Sequence, residues 1–126
     1  MSEEIEENRP LTPEELALTT WLLEHGEAAA AQFVPQVARA RVVARCPCGC
    51  VSVDFSIDDQ RAPAGEGMEI LSDYQWRGKG GELFGVFVFA RRDLLSGLEV
   101  WSIDGQATPT VLPDPSELTP LEIQKA

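Results

Sequence analysis

The stretch Ala40-Arg41-Val42-Val43-Ala44-Arg45-Cys46-Pro47-Cys48-Gly49-Cys50-Val51-Ser52-Val53-Asp54-Phe55-Ser56-Ile57 decides the fold. Upstream of Ala40 the apolar residues recur at helical spacing; from Ala40 onward the period is two. Val51, Val53, Phe55 and Ile57 alternate with Ser52, Asp54 and Ser56, which is the pattern of a half-buried strand. In residues 40–45, Val42 and Ala44 lie on one face and Arg41, Val43 and Arg45 on the other. Pro47 and Gly49 interrupt the two runs, so residues 46–50 read as a turn or bulge that joins two strands.

Downstream, residues 58–67 read as a loop. A third strand follows, with Ile70, Tyr74 and Trp76 on one face. Arg77-Gly78-Lys79-Gly80-Gly81 makes the next turn, and residues 83–90 are apolar on both faces, which suits a central strand. Arg91-Arg92-Asp93 is a tight connection into the last strand, 94–103, whose buried candidates are Leu98, Val100, Trp101 and Ile103.

Upstream, Thr12, Pro13 and Glu15 form a capping-box start, with Leu11 and Leu16 at staple spacing. Leu16, Leu18, Trp21, Leu22 and Leu23 cover a wide arc, so this helix should be well buried. His25 sits in its last turn and Gly26 is a stop signal. The Ala-rich segment 27–33 reads as a second short helix, which Pro35 ends or extends to about Arg39. Helices first, then strands with short connections, predict an α+β fold: an N-terminal helical hairpin followed by an antiparallel sheet of about five strands. The expected organisation is a flexible acidic leader over 1–10, one domain over 11–105, and a Pro-rich acidic tail over 106–126 packing on that domain.

A chain of 126 residues can bury a real core within one domain. Asp and Glu number 21 against 10 Lys and Arg, for a formal net charge of −11. Such a field repels phosphate backbones and anionic lipid surfaces, which argues against nucleic-acid and membrane binding; it is compatible with a basic protein partner. The acidic start and the odd count of three cysteines point to the cytoplasm. Exposed strand edges would admit a homodimer.

Unusual chemistry can concentrate only at Cys46, Cys48 and Cys50, which hold every cysteine in the chain. Three thiolates suit a soft metal such as zinc, with His25, an acidic residue or water as the fourth ligand. The C-x-C spacing fits a tetrahedral ion poorly unless the turn is bulged. A redox pair is the other thiol reading, with Arg41 and Arg45 near enough to favour a thiolate. The single histidine, His25, suits the negative end of the first helix better than a catalytic role. Gly78-Lys79-Gly80-Gly81 lacks the phosphate-loop pattern and reads as a hairpin loop. Trp21 and Trp101 read as core; Trp76, beside Arg77 and Lys79 at a strand end, also reads as buried, with a rim position suited to partner binding as the alternative. Asp54, Asp73, Glu82 and Glu99 are carboxylates on the strands, but no spacing joins any two of them.

The segments Arg45-Cys46-Pro47-Cys48-Gly49-Cys50-Val51-Ser52-Val53-Asp54-Phe55 and Leu94-Leu95-Ser96-Gly97-Leu98-Glu99-Val100-Trp101, followed by the Pro-rich acidic end, resemble a group of small uncharacterised bacterial proteins. Some proteins of this look are similar to immunity proteins of toxin systems. The resemblance implies a bacterial cytoplasmic setting and a small, acidic, non-catalytic binder of a protein partner. The alternative expectation is a metal-binding or redox thiol protein built on the cysteine turn.

Overall fold

A computed structural model describes residues 4–63, 65 and 67–120. Helix α1 (Pro13–Glu24) begins as its sequence dictates: the Thr12 hydroxyl accepts from the Glu15 amide, and the Glu15 carboxylate accepts from the Thr12 amide. Leu18, Leu22 and Leu23 are buried, whereas Leu16 is 43% exposed. The chain then makes a 3-10 turn (Ala30–Phe33) and a single helical turn, α2 (Val34–Val37). A helical hairpin therefore does not form. The Ala-rich segment is too short to hold a helix of its own, and Pro35 sits inside its last turn.

Among the described residues, seven strands follow the order β1-β2-β3-β6-β5-β4-β7, every neighbour antiparallel. They are β1 (Ile5–Pro10), β2 (Ala40–Arg45), β3 (Val53–Ile57), β4 (Glu69–Arg77), β5 (Leu83–Arg91), β6 (Leu94–Ser102) and β7 (Thr119–Pro120). The five inner strands are those that the two-residue period predicts. The two outer ones are additions. Residues 5–10, expected as part of a flexible leader, form an edge strand because arginines of neighbouring segments meet its acids. Glu7 accepts from Arg45 at 2.9 Å and from Arg9 at 3.1 Å, Asn8 accepts from Arg41, and Arg61 forks onto Glu4. The expectation for residues 1–3 lies outside the described residues.

One face of the sheet carries Val42, Phe55, Ile57, Val86, Val88, Leu98 and Val100, packed beneath α1, the 3-10 turn and α2. The described part of the tail lies at the same core: Leu112 and Leu118 pack on it, and Pro109 and Pro113 are buried. Gln36 ties α2 to the β5–β6 turn, accepting from the Leu95 amide and donating to the Asp93 carbonyl. That turn has Arg92 and Asp93 at φ of 54° and 62°, the two-residue geometry whose twist matches antiparallel strands. The glycine loop 78–81 is a hairpin connection between β4 and β5, as expected. No helix among the described residues is long and apolar enough to cross a membrane.

Two side-chain expectations are corrected. A bulge at Leu71 turns that residue inward, fully buried, and leaves Ile70 outward at 44% exposure. Trp76 is buried at 6%, as its favoured reading has it, whereas Trp101, expected in the core, lies one residue beyond inward-facing Val100 on the opposite face at 38%.

Candidate thiolate metal centre

The connection between β2 and β3 carries the three cysteines. Gly49 takes φ of +93°, a conformation that side-chain-bearing residues rarely adopt, and this bends the chain so that consecutive sulfurs converge. A Cβ at Gly49 would meet nothing within 4 Å, so backbone conformation and not space demands the glycine. The outcome is a cluster in which the Sγ atoms of Cys46, Cys48 and Cys50 all lie within 4.8 Å of one another. Sγ of Cys48 and Sγ of Cys50 are 3.1 Å apart. Sulfurs about 2.3 Å from a common zinc stand a little under 4 Å apart, so small rotations suffice to close around an ion.

Backbone amides are already aimed at the sulfurs. The Cys48 N–H points to Sγ of Cys46 at 3.3 Å, and the Cys50 N–H to Sγ of Cys48 at 3.4 Å. Donors of this kind meet the negative charge that metal-bound sulfur carries. Burial is graded along the turn: Cys48 is exposed, Cys46 intermediate, and Cys50 belongs to the core at 9% exposure. All three are free thiols.

Behind the cluster lies Ser52, a residue that alternation alone marks only as polar and outward. It is buried, and its hydroxyl is a node. Oγ accepts from the Val100 amide at 2.9 Å and stands 3.1 Å from the Val100 carbonyl, 3.2 Å from Oε2 of Glu99 and 3.4 Å from Sγ of Cys50. Glu99 is thus one hydroxyl away from the thiols. Burial pushes its carboxyl above the ordinary carboxylate range, the Ser52 bond opposes that, and the charge of Asp54 adds to it. The structure therefore brings Asp54 and Glu99 close on one sheet face, a juxtaposition that no sequence spacing reveals.

His25 does not join the sulfurs. It caps the end of α1, its Nδ1 lies 2.8 Å from the Trp21 carbonyl, and its ring stacks on Trp21 with centroids 4.1 Å apart. The ligand group of closely spaced atoms contains the three cysteines and no histidine. Arg41 and Arg45, expected near the thiols, are bound to Asn8 and Glu7 of β1. Beside the turn, the Val51 amide donates to the Pro109 carbonyl at 3.1 Å, and a groove of about 530 Å³ opens between the tail and the β4–β5 hairpin, lined in part by Trp76, Lys79, Phe84 and Pro113. Comparison of the chain with protein-family models, with curated proteins and with solved structures finds no match.

Proposed function

We propose that the protein binds a thiophilic cation, zinc in the first place, through Cys46, Cys48 and Cys50. The observation that carries this reading is the convergence of three sulfurs within 4.8 Å on a turn whose own amides face them. Three thiolates leave one position of a tetrahedral ion open, and Cys48 stands on the exposed side of the cluster. The ion would tie the β2–β3 turn to the core through Cys50 and hold it beside the tail at Pro109. Anaerobic zinc titration against a chromophoric chelator tests the reading. One equivalent should bind to the native chain and none to the triple Cys→Ser variant; equal binding by both would refute it.

A second reading is a non-catalytic binder of a basic protein partner in the cytoplasm, in the manner of an immunity protein. The observation that favours it is the sheet face opposite the helices, which keeps Trp101 and Ile70 exposed among carboxylates.

A further inference from the structure

The face opposite the helices is built in cross-strand rows. Gln75, Gly85 and Trp101 form one row, Asp73, Phe87 and Glu99 the next, and Ile70, Phe89, Gly97 and Asp54 the third. Residues in such rows share a face, with neighbouring Cβ atoms about 5 Å apart. Glycines seat the rings: a Cβ at Gly85 would meet the Trp101 indole at 2.4 Å, and one at Gly97 the Phe89 ring at 2.7 Å. The result is an aromatic floor framed by carboxylates.

The chain shows what this arrangement binds. At the Asp54 end, Arg61 donates to Asp54 at 2.8 Å and the Arg91 guanidinium stands 5.0 Å from the centre of the Phe89 ring. Two separate guanidiniums are held there, Arg61 by a carboxylate and Arg91 over a ring, and each contact is favourable for a cation. At the other end carboxylates and rings again stand together, in Asp73, Phe87, Glu99 and Trp101, and there no ion pair reaches either carboxylate among the described residues. One oxygen of Asp73, Oδ1, is sealed from solvent without a hydrogen-bond partner. Burial raises the affinity of both carboxylates for a proton, as expected of acids that lack a cation.

We propose that the Asp73–Phe87–Glu99–Trp101 platform binds an arginine side chain presented by a basic protein partner, its guanidinium between the two carboxylates and its stem on the rings. This rests on the second reading above. The net charge of −11 favours a basic protein and disfavours a second copy of this chain, a nucleic acid or an anionic bilayer at the same place.

The test is NMR titration of the full chain with a short synthetic peptide of alternating arginine and leucine, beside the same peptide with citrulline for arginine. Shifts should centre on the Trp101 indole N–H and the amides of Asp73, Phe87 and Glu99. Affinity should fall about tenfold or more with the citrulline peptide and in the Asp73→Asn/Glu99→Gln variant, which keeps side-chain size and removes charge. Trp101→Leu supplies an independent variant with the carboxylates intact, and it too should weaken binding. Arginine-dependent shifts centred elsewhere and unaffected by these variants would overturn the platform and leave the partner reading standing. No arginine-dependent binding anywhere would overturn both. A concentration-dependent dimer that protects Trp101 would overturn the proposal in favour of a second copy.

Discussion

At the scale of single residues, Gly49 decides whether the cysteines can act together, because the turn that carries them bends at its φ of +93°. All three fall within five positions, so the sequence alone marks them as the place for chemistry. What it could not show is that Gly49 repairs the unfavourable C-x-C spacing, since that depends on a φ of +93°. Gly49→Ala should destabilise the turn by about 1–2 kcal/mol, the usual cost of forcing a side chain into such a conformation, and should weaken zinc binding in the same chelator titration. An unchanged melting midpoint with unchanged zinc affinity would contradict this. Ser52 stayed hidden because its partner, Val100, is 48 residues away along the chain. The exposure of Trp101 has a similar cause: only the pairing of Gly85 with Trp101 shows that an indole can lie on the far face. Asp73 carries a pH signature. Its carboxyl lies above the ordinary range through burial alone. A group of this kind contributes stability that is fully present below its unfolded pKa, near 3.8, and is lost as pH rises through the folded value. Asp73→Asn should therefore raise the melting temperature at neutral pH, with the gain shrinking as pH falls toward 3.8. A gain that persists undiminished in acid would contradict burial of the charged carboxylate as its cause.

Among the elements, the start of α1 and the five inner strands follow from local pattern, because capping chemistry and two-residue alternation are local. The edge strand β1 does not. Its run of glutamates reads as solvated charge until Arg41, Arg45 and Arg61 are placed beside it by the sheet. Arg9 links β1 to α1 through a two-pronged bond to Glu15, at 2.9 and 3.0 Å, and Glu15 is nearly buried at 6%. Arg9→Ala should cost about 1–2 kcal/mol in a urea melt, since a buried carboxylate loses its cation while the partly exposed arginine gives up only part of its worth to solvent. A change within the scatter of the melt would show that the capping hydrogen bond alone holds Glu15. Gly26 reads as a stop signal, and it is needed for a different reason. A Cβ there would lie 2.3 Å from the Leu71 carbonyl oxygen, which also accepts from the Glu27 amide at 2.8 Å. Gly26→Ala should push the segment off β4 and cost about 2–3 kcal/mol, in the upper range for overpacked sites; a neutral effect would show that this contact is slack.

For the whole molecule, the antiparallel α+β class was readable, whereas the strand order was not. The pairing of Val53 with Leu98 brings together positions far apart in the chain, and no local pattern encodes it. That pairing matters most for function. It sets Ser52 and Glu99 behind the cysteine turn, and it leaves one sheet face under the helices and the other framed by carboxylates. The two proposed activities thus occupy different places: a metal at the β2–β3 turn, and a basic partner on the uncovered face. The metal claim is the more direct to decide. Cobalt(II) loading of freshly reduced protein, with alkylation of the loaded form read by mass spectrometry, counts the thiolates that hold the ion. Thiolate-to-metal charge-transfer absorption saturating at one ion per chain, with Cys46, Cys48 and Cys50 all protected from alkylation, is the expected result. Absence of that absorption, with all three cysteines alkylated as fast as in the metal-free protein, would contradict it.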